Sequence, residues 1–222
     1  PGLHISHEAI YQFIYDKEIR KEHNLVKYLT RAYKKRRLRT HSHRHKNLHI
    51  PHRISIKERP QEVNERKQVG HWEADTMISR RSKPALGIML ERTSRRIHLA
   101  KLPAKASRPF RSAINRRLGR YPEELRLSIT YDNGCENVDH EYTNKVLGTR
   151  SYFCEPFHSW EKGSLENAAG IVRRFFPKKT DFALVTKEQV KRVENLINNR
   201  PRKCLNYQTP NEVLGSNVAL HC

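Results

Sequence analysis

The feature that most restricts the fold is the order of periodic segments along residues 69–197. Three strand-like runs come first, followed by a helical pattern, a fourth strand-like run, a weaker helical pattern, a fifth strand-like run and two further helices. Alternation of apolar and polar residues over four to eight positions is typical of half-buried strands, whereas apolar residues three or four positions apart favour helices. The order therefore predicts an α/β domain built on one mixed sheet.

The bounds of these segments specify the fold further. The predicted strands cover residues 69–78, 84–91, 96–102, 125–131 and 151–155. The four helical patterns begin at Ser107, near Glu141, at the Gly163–Ser164 turn and at Thr186, which forms a capping box with Gln189. This succession is the order of a ribonuclease-H-like fold, and we expect a mixed five-stranded sheet flanked by helices.

Two aspartates occur in or next to the predicted sheet, at positions where a charged side chain is unusual. Asp75 lies among apolar residues of the first strand, and Asp132 directly follows the fourth strand. A buried carboxylate without a partner is costly. If the first and fourth strands are neighbours, the two side chains meet at one edge of the sheet.

Glu166 is the third candidate. It is separated from Asp132 by residues 133–165 and lies in the first turn of the helix that Pro177 ends. Taken alone, it is simply a helix-start glutamate, because the helix dipole favours a carboxylate there. The helix could also bring it over the two aspartates.

The chemistry of this trio favours one kind of metal. Three carboxylates without His or Cys suit Mg²⁺, with Mn²⁺ as a substitute, rather than zinc. Two such ions about 3.5–4 Å apart can activate a nucleophile and stabilise a leaving oxygen in phosphoryl transfer. Each aspartate taken singly could be a turn or strand-end residue, but the ordered trio predicts a metal site.

The charge of the chain indicates a polyanionic partner. There are 44 Lys and Arg residues against 23 Asp and Glu residues, a net charge of +21. Such a surface attracts nucleic acid, although a structural RNA-binding protein would fit the charge equally well. Residues 31–59 hold eleven cations, five histidines and the single acid Glu58. This composition favours a DNA-tracking linker over a metal-binding tract.

Cysteine and apolar patterns exclude other classes. The four cysteines are widely spaced, so reduced thiols are expected rather than disulfides or zinc ligands: Cys135, Cys154, Cys204 and Cys222. There is no apolar run of 18 residues and no leader pattern, so we expect a soluble intracellular protein. Near the N-terminus, residues 3–15 predict an amphipathic helix with Ser6 as its N-cap.

Several motifs occur in a fixed order and together carry a family resemblance. They are Gly70–Thr76, Thr130–Gly134, Tyr152–Gly163, Glu166–Arg173, Phe176–Phe182, Leu196–Leu205 and Thr209–Val213. On these motifs the chain resembles bacterial insertion-sequence transposases of the family numbered thirty, whose catalytic core is similar to retroviral integrases. The chain departs from the family pattern at a few positions, none of which removes a ligand: Ala74, Cys135, Asn137, Leu165 and Ala168–Ala169.

The resemblance implies an enzyme and its site. It implies an Mg²⁺-dependent DDE recombinase in which Asp75, Asp132 and Glu166 are the catalytic and metal-binding triad. The implied reaction is DNA strand cleavage at element ends, followed by strand transfer into target DNA. Arg173 is the usual basic DNA-contacting residue of the family, and we add other candidate DNA-binding cations: Lys162, Arg174, Lys34, Lys35, Arg36, Arg37 and Arg39.

The resemblance also implies partners and a domain arrangement. We expect double-stranded DNA as the partner, a homo-oligomer on DNA, no membrane association, and a cytoplasmic, nucleoid-associated location. Residues 1–28 are expected to be the remnant of a helix-turn-helix region, residues 29–64 a basic linker and residues 65–222 the catalytic core. A start at Pro1 suggests a fragment. Two alternatives stay open: a remnant that only binds DNA, and a ribonuclease-H-like nuclease that cuts without joining.

Overall fold

The computed structural model describes residues 5–29, 50–79, 82–156 and 158–219. It divides into two compact units, Pro1–Asn47 and Leu48–Cys222. In the first unit, helix α1 spans His7–Tyr15, helix α2 spans Lys17–Glu22 and a 3₁₀ turn covers Leu25–Tyr28. Ser6 is the N-cap of α1, as predicted, and its hydroxyl accepts a hydrogen bond from the backbone N–H of Ala9 at 3.1 Å.

The second unit is organised around one five-stranded sheet. Its strands are β1 (His71–Ile78), β2 (Ala85–Glu91), β3 (Ile97–Leu102), β4 (Ser128–Tyr131) and β5 (Arg150–Phe153). The strand order is β3-β2-β1-β4-β5; β1 pairs antiparallel with β2 and parallel with β4. The predicted mixed five-stranded sheet is confirmed, and the first and fourth strands are neighbours.

Helices cover both faces of this sheet. They are α3 (Gln61–Glu65), α4 (Ser107–Leu118), α5 (His140–Leu147), α6 (Gly163–Arg173), α7 (Lys187–Asn198) and α8 (Pro210–Ala219). Trp72 and Ala74 of β1 pack in one core with Phe110 of α4, whereas Met77 packs in a second core with Leu165 of α6. Because side chains alternate along a strand, Asp75 shares the α6 face of β1 with Met77.

Several helix ends differ from the sequence prediction. Ser107 is the first residue of α4 rather than its cap, and its hydroxyl instead donates to Asp139 Oδ2 at 3.0 Å. Helix α6 ends at Arg173, four residues before Pro177. The buried ring of Phe176 then packs on Phe182, which turns the chain back onto the sheet. The capping box of Thr186 and Gln189 at the start of α7 is present as predicted.

Residues 50–59, the end of the segment expected to be a linker, belong to the second unit. Ser55 forms a parallel bridge with Phe153 of β5. Arg59 is buried and donates from Nη1 to Thr130 Oγ1 at 3.0 Å, and burial lowers the pKa of Arg59 to about 10. This arginine therefore supports the fold and is not exposed to a DNA backbone.

Two findings bear on the remaining expectations. Cys135, Cys154 and Cys204 are free thiols, and Cys222 lies outside the described residues. In the part of the chain that the structure describes, no helix is both long and apolar enough to cross a membrane.

Candidate metal centre

The parallel pairing of β1 and β4 brings two predicted aspartates together. The pairing matches residues 71–73 with residues 128–130, after which β1 runs on to Asp75 and β4 ends just before Asp132. Oxygen atoms of Asp75, Asp132 and Glu136 all lie within 4.8 Å of one another. The two aspartates thus meet at one end of the sheet, as their positions in the sequence predicted.

Each aspartate has one oxygen held by the protein. Asp75 Oδ1 accepts a hydrogen bond from the backbone N–H of Thr76 at 2.6 Å. Asp132 Oδ1 accepts from the backbone N–H of Gly134 at 3.1 Å and from Asn137 Nδ2 at 2.7 Å. These contacts orient the carboxylates, as the hydrogen-bonded outer shell of a metal site does. The Oδ2 atoms are left to face a shared cation.

That cation is the ammonium group of Lys162. Its Nζ lies 3.2 Å from Asp75 Oδ2 and 4.0 Å from Asp132 Oδ2, and the lysine is buried. Burial alone would lower the pKa of Lys162, but the two carboxylates more than offset this and raise it. Burial also raises the pKa of Asp75, with Lys162 opposing the shift. The Oδ2 atoms therefore already form a cation-binding position.

Glu136 is a member of this group that the sequence analysis missed. It lies in a 3₁₀ turn, Cys135–Asn137, and is buried. Its Oε1 accepts from Thr76 Oγ1 at 2.7 Å and pairs with Lys105 Nζ at 3.0 Å. An acid four positions after Asp132 is the only sequence signal for it, and this signal is weak because the chain between the two residues is not an α-helix.

Gly134 allows the close approach of these groups. A Cβ at this position would lie 2.4 Å from Glu136 Oε2 and 3.0 Å from Asp132 Oδ1. A side chain here would have to displace the Glu136 carboxylate, which Thr76 and Lys105 hold in place. Glycine in the Asp-Asn-Gly turn therefore favours the close packing of the group.

Glu166 is not brought into this group. It is exposed in the first turn of α6, and the acidic oxygens that cluster belong to Asp75, Asp132 and Glu136. The preceding residue is fixed to the sheet, since the backbone N–H of Leu165 donates to Glu73 Oε2 at 3.0 Å. The start of α6 is thus attached to β1 two residues from Asp75, and the assignment of Glu166 as a ligand stays a prediction.

Glu73 is a second residue that the sequence analysis missed. It is buried, and its Oε1 accepts from Arg92 Nη1 at 2.5 Å while its Oε2 receives the α6 backbone. A carboxylate that accepts a backbone N–H at a helix start is favoured by the helix dipole. Glu73 therefore positions the helix beside the aspartates without belonging to their group.

The predicted DNA-contacting cations are found in different settings. Arg173 donates from Nη1 to the carbonyl oxygens of Phe176 at 3.5 Å and Pro177 at 3.3 Å, at the C-terminal end of α6. Arg174 is exposed. The candidate cations of the predicted basic linker lie outside the described residues: Lys34, Lys35, Arg36, Arg37 and Arg39.

The donor set fits a divalent ion. Three carboxylates against two ammonium groups, those of Lys162 and Lys105, leave the group acidic. All of its oxygens are hard ligands of the type that Mg²⁺ and Mn²⁺ prefer, and the group contains no His or Cys. The position of the Lys162 ammonium marks where a cation is accommodated.

A five-stranded mixed sheet with one aspartate within β1 and a second just after the neighbouring β4 defines a ribonuclease-H-like core of the integrase type. The fold matches the catalytic core domain of BIV integrase with a TM-score of 0.54 and 19% identity, over 69% of this chain and 99% of that chain. No family model matches the sequence.

Curated relatives identify the family. The chain is 35% identical to the transposase of insertion sequence element IS1086 from Cupriavidus metallidurans, over 99% of the chain and 65% of the relative. It is 39% identical to the transposase of IS4351 from Bacteroides fragilis, over 94% of the chain and 63% of the relative. It is 34% identical to the transposase of IS30A from Escherichia coli, over 98% of the chain and 57% of the relative. The chain belongs to this family of insertion-sequence transposases, which confirms the predicted resemblance. It spans less than two thirds of the length of these relatives.

Proposed function

We propose that the chain carries the catalytic centre of a transposase that cleaves DNA at the ends of an insertion sequence and joins them to target DNA. One observation carries the proposal: the Oδ2 atoms of Asp75 and Asp132 face one buried ammonium group at the end of a ribonuclease-H-like sheet. The identity to transposases of 34–39% supports it.

The reaction consists of two phosphoryl transfers. In the first, a water oxygen bonds to the scissile phosphorus and the P–O3′ bond breaks, which leaves a 3′-OH on the element end. In the second, this 3′-OH attacks a target phosphodiester, a new P–O bond forms, and the target strand leaves with its own 3′-OH. One phosphodiester is exchanged for another in the second step, so no oxidant, reductant or nucleotide is consumed.

The residues have distinct roles in this proposal. Asp75 and Asp132 would hold Mg²⁺, or Mn²⁺ in its place, through their Oδ2 atoms, with the ion taking the place of the Lys162 ammonium. A bound divalent ion would stabilise the charge that develops on the transferred phosphoryl group. Thr76, Gly134 and Asn137 hold the other carboxylate oxygens and keep the two aspartates oriented.

We retain Glu166 as the third ligand. Helix α6 is attached to β1 through Leu165 and Glu73, so Glu166 follows directly after the anchored residue. Glu136 is the weaker candidate because its Oε1 is already engaged by Thr76 and neutralised by Lys105. In this proposal Glu136 positions Thr76 and thereby Asp75.

Double-stranded DNA is the proposed partner, in the form of element ends and target. The net charge of +21 favours binding to the phosphate backbone of both the element ends and the target DNA. A homo-oligomer assembled on DNA, with a nucleoid-associated location, belongs to the same proposal. Light scattering of the protein with and without a duplex that carries the element end would measure the oligomer.

The test is a nicking and joining assay on a duplex that ends in the terminal repeat of the element. With Mg²⁺, Asp132→Asn should lower the yield of both products at least about a thousandfold, since it removes a carboxylate ligand of the ion that would stabilise the charge on the transferred phosphoryl group. Asp181→Asn, which changes an aspartate outside the group, should retain activity. Full activity of Asp132→Asn contradicts the proposal.

The same assay separates the alternatives and the two glutamates. Cutting without joining favours a nuclease, and binding without cutting favours an inactive remnant. Glu166→Gln should match Asp132→Asn, whereas Glu136→Gln should keep part of the activity. The reverse order would move the third ligand to Glu136.

A further inference from the structure

A cavity of about 340 Å³ lies beside the start of α6, and its charged lining is entirely basic. Arg66 follows α3, Arg95 lies in the turn between β2 and β3, and Arg202 precedes α8, so three distant segments supply the three guanidinium groups. Ser164, in the first turn of α6, lines the same cavity. We call this cavity the arginine pocket.

The arginines of the pocket converge on a neutral group. Ser164 Oγ accepts hydrogen bonds from Arg66 Nη2 and from Arg95 Nη1, both at 2.8 Å. Arg202 donates from Nη2 to the carbonyl oxygen of Ile197 at 3.4 Å. Among the described residues, none of the three arginines forms an ion pair with a carboxylate. Their positive charge is therefore not compensated by the fold.

The surroundings make this charge costly for the protein. Arg66 is exposed, but its partial desolvation lowers its pKa, and the neighbouring charge of Arg95 lowers it further. Burial also lowers the pKa of Arg202, whose Nε is buried without a hydrogen-bond partner in the described part of the chain. Clustered cations with unused donors are stabilised when an anion binds, because guanidinium groups match phosphate oxygens in pairs.

The backbone supports the same interpretation. Arg66 has φ 56° and Arg95 has φ 61°, in the left-handed region where glycine or asparagine is favoured. Holding a long side chain in this conformation costs about 1 kcal/mol or more and is characteristic of functional sites. An arginine at each position nevertheless places a guanidinium group on Ser164.

We propose that the arginine pocket binds a backbone phosphate of the DNA strand that crosses the metal centre. Ser164 lies two residues after Lys162, whose ammonium contacts Asp75, so one helix start connects the two places. In this proposal the strand follows the start of α6 from the aspartates to the pocket. The inference rests on the proposed function because it takes DNA as the ligand.

The test measures DNA binding without divalent ions, so that it does not depend on cleavage. A fluorescein-labelled duplex is titrated with the full chain in EDTA, and anisotropy gives Kd at several NaCl concentrations. Arg95→Gln should weaken binding about tenfold at low salt, as expected for one lost charged hydrogen bond. The slope of log Kd against log [NaCl] should fall by about 0.9, the value for one phosphate contact.

Arg120→Gln is the matched control, because it removes the same charge from an exposed arginine just after α4. It should change Kd and the slope much less than Arg95→Gln. Equal effects of the two variants would show that only net charge matters and would overturn the proposal.

A second variant keeps the test independent of lost hydrogen bonds. Ser164→Asp places a carboxylate between Arg66 and Arg95, which keeps an acceptor for both guanidinium groups while it lowers the positive charge of the pocket by one and occupies the phosphate position. It should stay folded, as measured by circular dichroism, and lose DNA affinity to a similar extent as Arg95→Gln. Wild-type binding by Ser164→Asp would contradict the proposal.

The final arm distinguishes the source of the phosphate. Deoxyadenosine monophosphate should compete with the duplex only at millimolar concentrations if the pocket recognises the DNA backbone. Micromolar competition that Arg95→Gln abolishes, with an unchanged salt slope for the duplex, would assign the pocket to a free nucleotide instead. Both results are independent of whether Asp132→Asn retains strand cleavage.

Discussion

The carboxylate group and the arginine pocket lie next to the same helix start but differ in almost every property. Lys162 points its ammonium at Asp75 and Asp132, whereas Ser164 accepts hydrogen bonds from Arg66 and Arg95. In the carboxylate group, hydrogen bonds and cations satisfy most of the charge. In the pocket, neutral partners leave the charge uncompensated.

This difference shows how one helix start can contribute to two sites that suit ligands of opposite charge. An acidic group with a removable cation suits a divalent ion, and a basic group without carboxylates suits a phosphate. Both depend on the start of α6 being held in place. Glu73 supplies this anchor, because it binds the backbone N–H of Leu165 and the guanidinium of Arg92.

The anchor gives the largest effect on stability. Glu73→Gln leaves Arg92 buried without its carboxylate, and loss of one partner of a buried ion pair costs about 3–5 kcal/mol. Urea denaturation should measure a loss of this size. Glu65→Gln is the control, since the Glu65–Lys67 pair is exposed and is expected to contribute less than about 1 kcal/mol. Similar small losses of unfolding free energy in both variants would refute the claim that Glu73 anchors the start of α6.

A smaller effect is expected from Gly134→Ala, which acts on the carboxylate group alone. The new Cβ would meet the carboxylate of Glu136, which Thr76 and Lys105 hold, and that of Asp132, which Asn137 holds. Overpacking of this kind costs about 2 kcal/mol. Gly170→Ala, where nothing lies within 4 Å, should instead be neutral or stabilising. Thermal unfolding of both variants measures whether each is destabilised or stabilised. An unchanged stability of Gly134→Ala would argue against the close approach of Glu136 and Asp132 to Gly134.

The smallest effect tests whether Lys162 and a divalent ion compete. Lys162→Met removes the ammonium that faces Asp75 and Asp132, so affinity for Mn²⁺ should rise several-fold, which corresponds to about 1 kcal/mol. Electron paramagnetic resonance of free Mn²⁺ measures the change. Lys178→Met, an exposed lysine beyond α6, should leave the affinity unchanged. Weaker Mn²⁺ binding by Lys162→Met would mean that the lysine assists the ion.

Sequence patterns were sufficient for the sheet because short apolar runs such as β2, which is buried at every position, record burial directly. The meeting of Asp75 and Asp132 followed once β1 and β4 were taken as neighbours. Glu136 could not be identified in this way, since its burial depends on the turn after Asp132 folding onto Thr76. The arginine pocket was equally hidden, because its three arginines come from segments that only the tertiary fold brings together.

The cations behave differently from the prediction for a related reason. Charge density predicted DNA contact for whole runs of Lys and Arg, but individual side chains follow local geometry. Arg59 is buried against β4, Lys162 is buried at the aspartates, and Arg173 contacts backbone carbonyl groups of the turn after α6. The positive charge of the sequence therefore indicates the class of partner but not which residues contact that partner.

The most direct test of the central claim is a crystal structure of the protein soaked with Mn²⁺, with anomalous diffraction to locate the ion. The account predicts an anomalous peak within about 2.5 Å of both Asp75 Oδ2 and Asp132 Oδ2, with Lys162 displaced from that position. The third protein oxygen on the ion would distinguish Glu166 from Glu136. An ion bound elsewhere, with Lys162 still between the two aspartates at saturating Mn²⁺, would contradict the account.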